Sequence, residues 1–206
     1  MPNPTSAFLS LLPIGAAVLL TGCAECTQVI LGKGDLSNFR PPHQDWTAAK
    51  EVKLIPESSL FDIVPGKGAV VNGSSGEAAD LITTAEYGDV KLSYEFLVPP
   101  GSEPRVMVMG RYELDVPETS LAAGEWQRME VVFRAPRFDR DGRKIENARF
   151  KRVALNNETL HRDLELSGPT CDDYFPDEQP YGPLIARGDT GPIAIRNLRI
   201  TPMHLP

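Results

Sequence analysis

Between Arg105 and Val116 the chain sets charged or sulfur-bearing side chains at every second position: Arg105, Met107, Met109, Arg111, Glu113 and Asp115. Successive side chains of an extended strand point to opposite faces. One face would therefore carry this set, and the other Val106, Val108, Gly110, Tyr112, Leu114 and Val116, which read as core. The charged face is either a solvated surface or the lining of a ligand cleft. As a cleft it would offer Glu113 and Asp115 for proton transfer. Arg105, Arg111 and the two methionines, Met107 and Met109, would be ligand contacts.

The elements that must hold this stretch are strands and turns. Val90, Leu92, Tyr94 and Phe96 alternate with Lys91, Ser93 and Glu95, the pattern of a half-buried strand. "EWQRMEVVFRA" and "FKRVALNN" read as strands joined through the hairpin segment "RFDRDGRKIENARF", and "GPIAIRNLRITPM" supplies a last strand. No helical period is sustained, and 19 prolines punctuate the chain. Many short strands with turn signals predict an all-β sandwich of two antiparallel sheets. Asp139-Arg140-Asp141-Gly142 begins like a calcium loop, but the glycine and glutamate positions are wrong, so it reads as a plain turn. From Arg134 to Arg152 eight basic and three acidic residues give a local charge of +5, which reads as a solvated ribbon.

Ala7 to Leu20 is an apolar stretch too short to span a bilayer as a helix. It has the length of a signal-peptide core and ends in Leu20-Thr21-Gly22-Cys23, a pattern similar to a bacterial lipobox. The expected organisation is a signal peptide over 1–22, a lipidated Cys23 with a short linker to residue 27, and one domain over 28–206. An exported, membrane-anchored lipoprotein of the outer membrane or periplasm follows. The oxidising compartment opens the choice between a disulfide joining Cys26 to Cys171 and two free thiols. The formal net charge of −7 argues against nucleic-acid partners. No residue spacing matches a structural zinc site, and neither a metal nor another cofactor is expected.

"LGKGDLSNFR", "GKGAVVNG", "EYGDVKLSYEFLVPPGS", "MGRYELDV", "GEWQRMEVVFRAPRFDRDGRK" and "GPLIARGDTGPIAIRNLRI" occur in this order and resemble the 3-keto-disaccharide hydrolase domain family over about residues 28–203. The resemblance implies a concanavalin-like jelly-roll with a sugar-binding concave face, and chemistry on oxidised glycosides. There a base removes the proton beside a C3 ketone and the C1 substituent departs. Tyr112, Glu113, Trp126, Asn156, Arg196 and Asn197 are retained from the family pattern. Arg187 stands where the family has glutamine and Thr190 where it has histidine, and a glycine-rich loop after the Asp115 strand is nearly deleted. Thr cannot replace an imidazole as a base at neutral pH. None of the three histidines is well placed to act instead: His43 is in an N-terminal turn, His161 follows the "NNETL" turn, and His204 is in the tail.

The expectation is a cell-envelope lipoprotein that binds carbohydrate on the concave sheet, with catalysis weakened or lost. Glu113 and Asp115 are the candidate catalytic groups, and Arg105, Met107, Met109, Arg111, Asn156, Arg187 and Arg196 the ligand contacts. An active lyase or hydrolase on 3-keto-glycosides is the alternative, and a structural envelope protein a third.

Overall fold

The computed structural model describes residues 26–43, 45–114, 116–171 and 174–206; the expected signal peptide, Cys23 and Asp115 lie outside the described residues. Along the chain the strands are β1 (Gln28–Leu31), β2 (Thr47–Leu54), β3 (Phe61–Val71), β4 (Leu81–Tyr87), β5 (Val90–Leu97), β6 (Val106–Val108), β7 (Tyr112–Glu113), β8 (Gln127–Arg134), β9 (Arg137–Phe138), β10 (Lys144–Glu146), β11 (Ala148–Leu155), β12 (Glu158–Leu166), β13 (Gly182–Ala186) and β14 (Ala194–Pro202). The only helical turn among the described residues is a 3-10 turn at Glu118–Ser120. Two antiparallel sheets make the expected sandwich. The large one runs β12-β11-β8-β5-β14-β3-β2, with β1 paired beside β14, and the small one runs β4-β13-β6-β7.

Alternation builds the large sheet as the sequence predicts. Val90, Leu92, Tyr94 and Phe96 of β5 and Met129, Val131 and Phe133 of β8 are buried in one core. Opposite them the small sheet contributes Leu81, Val106, Val108, Tyr112, Leu114 and Leu184. The Phe133 ring lies 5.1 Å from Tyr112 and 5.3 Å from Phe150, centroid to centroid, within the range of favourable aromatic pairs.

One expected element is corrected. Residues 105–116 are not one strand but a hairpin, in which Val108 pairs with Tyr112 and Met107 with Glu113. Met109 and Gly110 adopt φ of 57° and 63°, and the Arg111 N–H donates to the Val108 carbonyl at 3.2 Å. Consecutive positive φ values are what a tight hairpin turn requires. Because the three residues 109–111 lie between the paired positions, the parity survives the reversal. Val106, Val108, Tyr112 and Leu114 still share the core face.

The far half of the β2–β3 hairpin folds onto the outer face of the large sheet. Ala49 pairs with both Pro65 and Ala69, so the residues between them form a wide bulge. Beyond it Val52 and Phe61 pack with Leu97, Val71 and Ala194 in a second apolar cluster.

Candidate functional site

The small sheet is narrower than the large one. Past its edge strand β7 the inner faces of β11 and β12 are left uncovered, and the gap is a cleft of about 580 Å³. β11 and β12 line it with Phe150, Leu164, Leu166 and His161, and β7 and the residues after it with Glu113, Leu114 and Val116. The 101–105 segment adds Glu103 and Arg105, with Glu118 and Thr170 completing the polar lining. Apolar surface with a few convergent polar groups is the usual make-up of a small-molecule site.

The polar groups are held in place. Arg105 donates to Glu103 from Nε at 2.9 Å and from Nη2 at 2.5 Å, and its Nη1 lies 3.3 Å from Glu113 Oε1. The Glu103 hydrogen bond, with the Glu113 charge behind it, raises the Arg105 pKa, so the guanidinium stays charged. Glu113 is 20% exposed through its side chain, and its backbone N–H donates to Thr170 Oγ1 at 2.7 Å. The segment carrying Glu103 is pinned by Thr190, whose hydroxyl donates to the Glu103 carbonyl at 2.6 Å. Thr190 therefore braces a cleft segment.

His161 was not legible from alternation, because Leu164 and Leu166 assign it to the outward face. Phe150 and Val153 of β11 both enter the core although an odd number of positions separates them. Strict alternation forbids this, and the pairing of β11 with β8 shifts between Phe150 and Arg152. β12 follows the same bulge: Leu164 pairs with Phe150 and His161 with Val153, while Asp163 between them has φ of 51°. A β-bulge exchanges the faces of everything beyond it, and here it turns the imidazole into the cleft.

Six expected ligand contacts lie elsewhere. Met107 is fully buried outside the main core cluster and Met109 lies within that cluster, because the hairpin turn carries the latter off the strand face. Arg111 is buried in the same turn. It donates to the Asp177 carbonyl at 2.6 Å and the Met109 carbonyl at 2.8 Å, and stacks 5.0 Å from the Phe175 centroid. It thus straps the 174–181 segment to the sheet. Arg187 is paired with the buried Asp80 at 3.1 Å and with Asp189. Asn156, at φ of 49° between β11 and β12, accepts the Arg128 N–H at 2.9 Å and ties that turn to β8. Arg196 is on the outer face, in a separate groove. Cys26 is exposed and Cys171 half-buried, and no disulfide joins them. Among the described residues no group of three His, Cys, Asp or Glu side chains is placed to hold a metal.

No family model matches the sequence, and no curated protein matches it. Solved structures share the fold. A "putative glycosyl hydrolase" of Parabacteroides distasonis ATCC 8503 superposes with a TM-score of 0.60 at 20% identity, over 87% of this chain and 84% of its own. A second protein of that organism, described in the same words, gives a TM-score of 0.53 at 13% identity, over 85% of this chain and 98% of its own. At these identities the likeness is one of fold: the chain is a β-sandwich of the kind seen in these two proteins.

Proposed function

We propose that the chain is an exported, lipid-anchored relative of the 3-keto-disaccharide hydrolase domains, and that it binds carbohydrate in the cleft beside β7. The observation that carries the reading is the pairing of an apolar wall, Phe150, Leu164 and Leu166, with the fixed Arg105–Glu113 ion pair in one cleft. A sugar ring has apolar C–H faces and a rim of hydroxyls, and these match such a wall and such a pair. The likeness to proteins named as glycosyl hydrolases agrees with it.

A second reading, that the cleft retains proton-transfer chemistry, is favoured by His161. Histidine is the side chain most often used for general acid–base catalysis. His161 lines the same cleft as the Glu113 carboxylate and the Arg105 guanidinium. The loss of the family histidine at Thr190 thus does not leave the cleft without a base.

One experiment separates the readings. Calorimetric titration with neutral oligosaccharides should show binding that weakens about tenfold or more in Arg105→Ala, the scale of a lost charge-assisted hydrogen bond. Turnover of glycosides and 3-keto-glycosides is followed alongside in wild type and His161→Asn. Turnover lost in that variant with binding intact establishes the second reading. Binding without wild-type turnover leaves the first, and no binding by the wild type overturns both.

A further inference from the structure

Arg196 and Trp126 line a groove of about 550 Å³ on the outer face of the large sheet, opposite the cleft. Lys50, Glu51 and Lys53 of the folded-over β2 border it, and Leu97 and Ala69 give it an apolar lining. We propose that this groove is a second ligand site, and that it takes a carboxylate-bearing saccharide such as a uronate unit.

The guanidinium is preorganised. It stacks 3.9 Å from the Trp126 ring centroid, and its Nε donates to Glu95 at 2.7 Å. Asn197, the next residue, donates to the other oxygen of Glu95 at 2.9 Å. Two consecutive strand residues reach one carboxylate because β14 is irregular here: its pairing with β5 shifts after Arg196, and Asn197 has φ of 55°. A non-glycine residue in the left-handed region is strained and persists where its surroundings impose it. Bulges of this kind re-aim side chains.

Donors are left over. With Nε on Glu95, neither Nη group of Arg196 has a hydrogen-bond partner among the described residues. The chain's two tryptophans differ in the same way. Trp46 donates its indole N–H to the Ala79 carbonyl at 2.7 Å, whereas that of Trp126 has no partner among the described residues. Arg196 and Trp126, both lining the groove beside Lys50 and Lys53, thus leave a planar donor fork and an indole N–H for a ligand. Glu51 is already paired with Lys53 at 2.6 Å. A planar fork matches a carboxylate bidentately, and the size and apolar lining suit a sugar rather than a bare ion.

Trp126 makes the test direct. The full chain, in wild-type and Trp46→Phe forms, is titrated with a galacturonate trimer, a neutral glucose trimer and inorganic phosphate at low salt, and its fluorescence recorded. The expected result is a saturating change with the galacturonate trimer alone, weakened about tenfold or more in Arg196→Lys, which keeps the charge and loses the fork. The surface double variant Lys50→Glu, Lys53→Glu should weaken it too, while Arg105→Ala in the cleft leaves it unchanged. Equal response to the neutral trimer or to phosphate overturns the proposal. So does a response that survives both groove variants or disappears in Arg105→Ala.

Discussion

Asp89 shows at the scale of one residue how charge fastens this fold. Its buried carboxylate accepts two bonds from Arg137, at 2.8 and 2.7 Å, and the N–H groups of Ala135 and Leu205. Burial by itself would raise its pKa, but the Arg137 pair and the two backbone donors together outweigh it, and the net shift is downward. A carboxylate with a depressed folded pKa binds fewer protons folded than unfolded. Its contribution is complete above the unfolded value of about 3.9 and is lost as pH falls through the lower, folded value. Asp89→Ala should cost about 3 kcal/mol at neutral pH, the scale of breaking a buried ion pair. Its urea stability should then fall less steeply than that of wild type below pH 4. An acid limb identical to wild type would mean that Asp89 does not hold the tail. The sequence offered no sign of this role, because the partners of Asp89 are 46 or more positions away. A side chain's placement was legible where local order decides it, as for Glu113, which lines the cleft. It was not where distant partners decide, as for Arg111, whose charge fastens backbone instead of facing a ligand.

Among the elements, the strands with regular alternation, β5 and β8, were legible residue by residue, since period two and burial coincide. The β6–β7 hairpin was not, because its turn is written as Met109-Gly110, and a methionine at positive φ carries no turn signal. Gly110 is the residue on which that turn depends. A Cβ there would lie 2.6 Å from Phe175 Cδ2, on a backbone with φ of 63°. Gly110→Ala should therefore destabilise by about 2 kcal/mol, combining left-handed strain with a clash. It should also loosen the 174–181 segment that Arg111 and Phe175 hold. Hydrogen exchange of that segment, with urea denaturation, measures both; unchanged protection would show that the strap stands without the turn. The bulge through β11 and β12 escaped for a related reason. Inward-pointing residues on both sides of it look regular in isolation, and only the odd step from Phe150 to Val153 betrays the slip.

For the molecule as a whole, the sandwich class followed from composition and punctuation, whereas the site depended on the unequal width of the two sheets, which no local pattern encodes. The proposed lipid anchor belongs to this scale as well. Cys23→Ser should move the protein from the membrane fraction to the soluble one on cell fractionation, and continued sedimentation with membranes would place the anchor elsewhere. The paired bulge also has an evolutionary meaning. Lys151 is an extra position in β11 relative to β8, and the β11–β12 register runs through it unbroken, so the two strands carry the irregularity together. Removing the codons of Lys151 and Asp163 as a pair would restore plain alternation on both strands, with Phe150, Val153, Leu164 and His161 still on the cleft face. A lineage of such proteins can therefore absorb a paired insertion or deletion here without moving the cleft lining, whereas the loss of one codon of the two would break the register between the strands.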